Sequence, residues 1–298
     1  MSAMAWLREF PAFDEERLRA LRLFIDSEFR GFTRAHGETI ETLFNPLRDF
    51  LLASERLMTT SPWPLVVGSI GLLAWLASRS WKIALASMLA LMGVGVLGMW
   101  DDTMKTISMI FVCTVVSLVL GLPVGVWMSR SDRVRNIVSP ALDVMQTMPS
   151  FVYLIPVVML LGIGRVPGLI AVVIYAIPPV IRFTNLGIRL VDKDLLEAAD
   201  AFGSSTWQKM HQVQLPLALP TIMAGVNQTI MLSLAMVVIA SMIGVQGLGQ
   251  PVLKAISNQY FTMGVFNGLA IVGIAIIFDR VSQAYGKRLQ KHLEVVHG

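Results

Sequence analysis

The sequence predicts an all-α integral membrane protein with about seven transmembrane helices, preceded by amphipathic helices. Of its 298 residues, 55% are hydrophobic and only 15% are charged, and the mean hydropathy is +0.66. A typical soluble domain carries about 25% charged residues. Seven apolar stretches approach the roughly 20 residues that a helix needs to cross a bilayer core of about 30 Å. These stretches span residues 63–78, 83–100, 104–128, 138–162, 166–188, 217–243 and 264–283.

The reactive side chains exclude several classes of enzyme and metal site. Cys113 is the only cysteine, which rules out a disulfide framework, a CxxC metal site and an iron–sulfur cluster. The four histidines are scattered, so the chain has no HExxH zinc helix, and no lysine lies in a GxxxxGK[ST] phosphate loop. We therefore expect no catalytic residue, no metal site and no bound cofactor on this chain.

Residues 1–62 are too polar for a cleaved signal peptide and contain two amphipathic patterns. Apolar residues recur at helical spacing from Leu18 to Phe32 and again from Ile40 to Leu51, opposite charged faces. Two interpretations are open: a small soluble helical hairpin, or helices in the membrane interface. The second is favoured because the region runs directly into the first apolar stretch. Whether these helices lie on the membrane or on a partner stays open.

Basic residues predict the orientation of the chain, because cytoplasmic loops carry an excess of lysine and arginine. Alternating spans place thirteen basic residues at the short loops of one side and three, Lys105, Arg165 and Lys254, at those of the other. We therefore expect a cytoplasmic C-terminus and, with seven spans, an extracytoplasmic N-terminus. The eight arginines of residues 1–62 weigh against this orientation, but ten acidic residues accompany them.

The longest polar interruption after residue 100 covers about 187–216 and predicts two short helices separated by a glycine. Asp194 is expected to cap the first helix, with Glu197 three residues further on as in a capping box. Gly203 suits the left-handed position that ends such a helix. Ser205 and Gln208 form a second capping box, and the second helix is expected to end near Val213, before Pro216.

The spacing of this loop resembles the EAA loop of ABC-importer permeases: Glu-Ala-Ala, three residues, Gly, nine residues, an aliphatic residue, one residue, Leu-Pro. The resemblance implies a coupling helix, within residues 192–213, that docks in a groove of an ATP-hydrolysing subunit. It implies that ATP and Mg²⁺ are bound by that subunit and that this chain is a non-catalytic permease. The residues assigned to coupling are Glu197, Ala198, Ala199, Asp200, Phe202, Gly203, Leu215 and Pro216.

Further segments resemble permeases for glycine betaine and proline betaine, over roughly residues 100–285. They include Asp143–Pro156, Gly162–Gly168, Pro178–Arg182 and Ile239–Gln250. The resemblance implies a type I importer core and uptake of glycine betaine, proline betaine, choline, carnitine or trimethylamine N-oxide, for osmoprotection or nutrition.

The same resemblance implies the partners and the organisation of the chain. We expect a separate extracytoplasmic substrate-binding protein, a second permease copy, since an importer has two ATPase sites, and location in the bacterial inner membrane, with no nucleic acid bound. The expected regions are the amphipathic region 1–62, an accessory transmembrane hairpin 63–100, the permease core 101–285 and a cytoplasmic tail 286–298.

Polar and aromatic residues in the spans are candidates for the substrate path, because burying polar groups in a membrane is costly. Aromatic faces also attract quaternary ammonium groups. Packing or hydrogen bonding between helices is the competing interpretation. An ion-coupled secondary carrier or a channel is the alternative class, but mid-span charges and inverted repeats are not evident. The candidates are Gln146, Phe151, Tyr153, Asn227, Gln228 and Ser241.

Overall fold

The computed structural model describes residues 13–296, and these form a helical bundle. Apolar runs with few breaks produce the long helices, while proline and glycine separate them. The helices are α1 (Glu15–Leu43), α2 (Asn45–Thr60), α3 (Trp63–Ser78), α4 (Trp81–Val96), α5 (Trp100–Arg130), α6 (Asp132–Thr147), α7 (Leu154–Leu161), α8 (Arg165–Arg189), α9 (Lys193–Ala201), α10 (Leu215–Ala240), α11 (Gly249–Asn258) and α12 (Phe261–Val296). Short 3-10 turns cover Ser150–Tyr153 and Ser241–Ile243, and Thr206–Gln214 leads into α10.

Helices α5, α8 and α10 form the centre of the bundle, and small residues let them approach closely. A Cβ atom at Gly125 of α5 would lie 2.6 Å from Cβ of Thr184 in α8. A Cβ atom at Gly225 of α10 would lie 2.7 Å from Cβ of Phe183. Such contacts are typical of membrane helices, where close van der Waals packing replaces the hydrophobic drive of water. Helix α10 runs antiparallel to α8, so the connection between them lies at one end of the bundle, here called the loop end.

The seven predicted apolar stretches are all helical in the structure, but they differ in length and straightness. Among the described helices, four are long and apolar enough to cross a bilayer: α5, α8, the continuous helix from Thr206 to Ile243, and α12. Two bent pairs raise the number to six if each pair is one span. Helix α2 turns into α3 by 113°, and α6 turns into the segment Ser150–Leu161 by 112°. Helix α4 has only 16 residues.

Hydropathy records apolar length but not direction, so the sequence did not show that one of these stretches is bent. The stretch 138–162 reads as one span, yet Pro149 restricts the residue before it to an extended conformation, and Met148 has φ −69° and ψ 134°. The helix therefore ends at Thr147, and the chain leaves in a new direction.

The second N-terminal helix packs on the bundle. Leu51, Ser54 and Glu55 of α2 are buried, and α2 packs mainly against α5. Arg165, at the start of α8, donates to Glu55 Oε2 at 2.5 Å and to Gln246 Oε1 at 2.5 Å. This cluster joins α2, α8 and the loop before α11 at the end of the bundle opposite the loop end. Helix α1, by contrast, has no buried residue.

Candidate coupling loop and membrane cleft

The N-cap of helix α9 lies two residues earlier than expected. Asp192 is the N-cap, and its Oδ1 accepts a hydrogen bond from the backbone N–H of Asp194 at 3.0 Å. Asp194 therefore lies in the first helical turn, where a carboxylate still interacts favourably with the helix dipole. The expected Asp194 cap was wrong, and Glu197 is an exposed residue in the middle of the helix.

The end of α9 matches the prediction from Gly203. The φ of Gly203 is +75°, its N–H donates to Asp200 O at 2.9 Å, and the N–H of Ser204 donates to Ala199 O at 3.0 Å. This pair of bonds is the Schellman motif, which satisfies the last carbonyls of a helix. The second capping box is also confirmed: Gln208 N–H donates to Ser205 Oγ at 3.3 Å, and Ser205 N–H donates to Gln208 Oε1 at 2.8 Å.

The expected second short helix does not end near Val213. One α-helical turn at Thr206–Gln208 leads into a π-helical turn at Lys209–Gln214, which continues directly into α10. Pro216 cannot donate a backbone hydrogen bond, and its ring would crowd the carbonyl four residues earlier in a regular helix. The wider π turn before it accommodates that proline, so the loop is continuous with the long helix Thr206–Ile243.

The eight residues predicted to act in coupling form an outward, exposed set and an inward set that packs against the bundle. The inward set holds the loop to the bundle: Ala199 is buried, and Leu215 packs with a cluster around Met210 and Ile188. Pro216 is half-buried. The outward set is exposed and comprises Glu197, Ala198, Asp200, Phe202 and Gly203.

The side chain of Phe202 protrudes from the loop, with 91% of its surface exposed. Lys209 Nζ lies 2.5 Å from Asp200 Oδ1 and ties the two halves of the loop together. The backbone ends of α9 are satisfied internally, so the shape of the loop does not depend on a partner. The loop projects from the bundle with an aromatic ring at its tip.

A cleft of about 450 Å³ lies between α6, α8 and α10, near the loop end. Two predicted path residues, Gln146 of α6 and Gln228 of α10, line it together. The other lining residues were not among the predicted path residues, and they include Met145, Tyr175, Arg182 and Phe183. Arg182 also forms an ion pair with Asp143 of α6.

The sequence of α8 contains a pattern that could have identified these lining residues. Tyr175, Pro179, Arg182 and Phe183 are spaced by four, seven and eight residues, which is one face of a helix. Gln228 and Leu232 are similarly spaced by four on α10. An arginine on the same face as two aromatic rings, within an otherwise apolar segment, marks a functional face.

The other path candidates lie elsewhere. Asn227 points to α12, where its Nδ2 donates to Asp279 Oδ1 at 3.2 Å and its Oδ1 accepts from Ser282 Oγ at 2.5 Å. Ser241 is buried and donates to Val238 O. Phe151 is 53% exposed on the 3-10 turn and does not line the cleft.

Tyr153 stands next to the cleft and not in it. Its side chain is buried, and its hydroxyl donates to the backbone carbonyl of Met145. Its ring meets the edge of Tyr175 with centroids 5.7 Å apart. Tyr153 therefore holds two lining residues in place, which favours the packing interpretation for this aromatic ring.

Within the part of the chain that the structure describes, no three His, Cys, Asp or Glu side chains are placed to hold a metal ion.

These features define the permease subunit of a binding-protein-dependent importer. Residues 117–291 match the family described as "Binding-protein-dependent transport system inner membrane component", and the chain belongs to this family. This confirms the resemblance inferred from the EAA spacing, and with it an inner-membrane component that works with an ATPase and a substrate-binding protein.

The chain is similar to two permeases for glycine betaine and to one transporter of known structure. The chain is 46% identical over 242 residues to the glycine betaine/proline betaine transport system permease protein ProW of Escherichia coli (strain K12), covering 81% of this chain and 68% of that protein. It is 47% identical over 229 residues to the glycine betaine/carnitine transport permease protein GbuB of Listeria monocytogenes, covering 76% and 81%. A structure of the inward-facing methionine ABC transporter MetNI matches with a TM-score of 0.57 at 21% identity, over 64% of this chain and 95% of that chain. That match shows the fold.

Proposed function

We propose that this chain forms the membrane path for glycine betaine or a closely related methylated ammonium compound. Two relatives of 46% and 47% identity are named as permeases for glycine betaine, with proline betaine or carnitine as the second substrate. The chain takes no part in the chemistry of ATP hydrolysis. ATP and Mg²⁺ are bound by the partner ATPase, and the permease converts the movement of that subunit into alternating access.

The observation that carries the importer assignment, with its ATPase partner, is the exposed tip of the coupling loop. Phe202 is 91% exposed on a loop whose own caps and ion pair are complete. Burying an aromatic side chain of this size stabilises a complex by about 1.5–3 kcal/mol. An exposed ring on a rigid support is a suitable anchor for a groove in the ATPase, because little conformational freedom is lost on docking.

The number of permease copies in the complex and their orientation follow from the same loop. Each chain has one coupling loop, and an importer of this kind has two ATPase sites, so we propose two copies of the permease in each complex. The loop end faces the cytoplasm, where ATP is available, and α12 brings the C-terminus to that side. The mass of the purified complex and labelling of single cysteines test both statements.

The test of function is uptake of radiolabelled glycine betaine into proteoliposomes that contain the permease, its ATPase and the substrate-binding protein. We expect uptake to require ATP and the binding protein. An ion-coupled carrier or a channel would instead transport without the ATPase, and uptake under an ion gradient alone would refute the importer assignment.

The matched variants for this assay are Phe202→Ala and Phe261→Ala. Both remove an exposed phenylalanine, and Phe261, at the start of α12, is 82% exposed at the opposite end of the bundle. We expect Phe202→Ala to weaken ATPase binding about tenfold to a hundredfold, from the apolar area lost. Phe261→Ala should leave ATPase binding unchanged. Equal effects of the two variants would show that the loop tip is not the docking anchor.

A further inference from the structure

The cleft between α6, α8 and α10 combines one charge pair with aromatic and neutral polar walls. Arg182 lies toward the loop end, and Tyr175 lies seven residues earlier on the same helix, about 10 Å along the axis. Gln146 of α6 and Gln228 of α10 both line the cleft. The cleft thus extends from the interior of the bundle to its loop end.

Arg182 has binding capacity that its ion pair does not use. One terminal nitrogen contacts Asp143, but Nε is buried and has no hydrogen-bond partner among the side chains described for residues 13–290. A guanidinium group has five N–H donors in a planar fork that fits a carboxylate. The side chain of Arg182 is 37% exposed, so N–H donors that Asp143 does not use are open to a ligand carboxylate.

The charges of the cleft favour a ligand with zero net charge. Asp143 neutralises Arg182, and the remaining described side chains that line the cleft are uncharged. A zwitterion offers a carboxylate to Arg182 and adds no net charge to the cleft. A cation without a carboxylate leaves an uncompensated charge there and leaves the Arg182 donor unsatisfied.

The aromatic walls complement the other end of such a ligand. Phe183 is next to Arg182 in the chain, Tyr175 lies two turns away, and both rings line the cleft. A methylated ammonium group is attracted to aromatic faces by about 0.5–2 kcal/mol. The edge contact of Tyr153 and its bond to Met145 O fix the ring of Tyr175 and the neighbouring wall.

We propose that this cleft is a selective binding site for zwitterionic methylated ammonium carboxylates, with Arg182 as the carboxylate anchor and Asp143 as its charge partner. This inference rests on the proposed function and adds a second selection step, inside the permease, after that of the binding protein. The site accepts glycine betaine or proline betaine and discriminates against choline, which has a hydroxymethyl group in place of the carboxylate.

The test measures protection of a cysteine in the cleft by ligand. The permease–ATPase complex is placed in nanodiscs without binding protein or ATP, in a Cys113→Ala background. Gln146→Cys provides a label site in the cleft, Leu232→Cys provides a second one on the opposite wall, and Asn136→Cys provides an exposed control on α6 outside the cleft. The rate of maleimide labelling is followed against glycine betaine and choline.

We expect glycine betaine to slow labelling at both cleft positions and not at Asn136→Cys. At ten times the apparent dissociation constant the rate falls about tenfold, since only the unoccupied fraction reacts. Choline at the same concentration should protect much less. No protection by glycine betaine at either cleft position, or equal protection by choline, would overturn the proposal.

Two arginine variants separate ligand binding from structure. Arg189 forms an ion pair with Asp132 at 2.8 Å, which also joins α8 to α6 but lies outside the cleft lining. We expect Arg182→Gln to raise the concentration needed for protection about tenfold to a hundredfold, and Arg189→Gln to leave it unchanged. Equal effects of the two variants contradict a specific role of Arg182.

Uptake of glycine betaine by the complete wild-type system is measured in parallel. Uptake without selective protection overturns the cleft site and leaves the proposed function intact. Absence of uptake overturns the proposed function itself.

Discussion

The shape of the coupling loop depends on a left-handed backbone at Gly203, and this can be tested by a series of substitutions. The φ of Gly203 is +75°, and a Cβ atom added there would meet no other atom within 4 Å. A side chain at this position therefore has room, and the cost of a substitution comes from the backbone. For a residue with a Cβ atom, the left-handed conformation costs about 1–2 kcal/mol.

The magnitudes differ between the three replacements. Gly203→Ala loses that backbone energy but also reduces the freedom of the unfolded chain, which offsets about 0.4–1 kcal/mol. Gly203→Val is worse because β-branched residues rarely adopt positive φ. Gly203→Asn is the mildest because asparagine tolerates this region. At about 1.4 kcal/mol per factor of ten, the correctly formed loop should decrease a few-fold for alanine and about tenfold or more for valine.

The assay is ATP hydrolysis stimulated by loaded binding protein, measured together with uptake in the same proteoliposomes. Both activities should decrease in the order glycine, asparagine, alanine, valine, with the amount of inserted protein unchanged. Gly268→Val serves as the control, because that glycine also has open space around it but is not in a positive-φ conformation. Full activity of Gly203→Val would refute the backbone argument. An asparagine variant as inactive as valine would show that the ATPase needs the empty space and not the conformation.

Three other predictions follow from the fold. In a cysteine-free background, a cysteine at Ser131 should be labelled only from the cytoplasm and one at Gln259 only from outside; reversed labelling would contradict the charge-based orientation. Glu55→Ala leaves Arg165 without its ion-pair partner and should destabilise docking of α2 by about 1–3 kcal/mol. The labelling rate of Ser54→Cys should then rise about tenfold, and an unchanged rate would show that the ion pair does not hold the helix. Tyr153→Phe should lower the free energy of unfolding by about 1 kcal/mol, because the carbonyl of Met145 loses its hydrogen-bond donor. The preference for glycine betaine should stay the same, and a changed preference would place the hydroxyl in contact with the substrate.

The local features of the coupling loop were largely predictable, because hydrogen bonds between near neighbours produce them. The αL residue at Gly203 and the capping box of Ser205 and Gln208 depend on residue type and on a spacing of a few positions. The position of the first cap was less certain, because Asp192 and Asp194 are both suitable and the choice depends on where the preceding helix α8 ends.

The candidate path was predicted only in part, since membership of a cleft is a property of packed helices. Asn227 and Gln228 are adjacent in the sequence, but successive residues of a helix point about 100° apart. One therefore faces α12 and the other faces the cleft. The partner of Arg182 is Asp143, 39 positions away, and no local pattern connects the two.

The sequence by itself determined that this is an integral membrane protein, because composition decides which solvent a chain tolerates, and it determined where helix α9 ends, because short-range spacing decides helix ends. The resemblance to the EAA loop pointed to an importer permease, and the family match confirmed that class. Only the tertiary structure decided that α6 and α7 are a broken segment, that α2 is held to the bundle by Glu55 and Arg165, and that one face of α8 forms a charged and aromatic cleft with α6 and α10. The physical reason is that direction at a break and contact between distant helices depend on the packing of the whole bundle, where each side chain is placed by neighbours far away in the sequence.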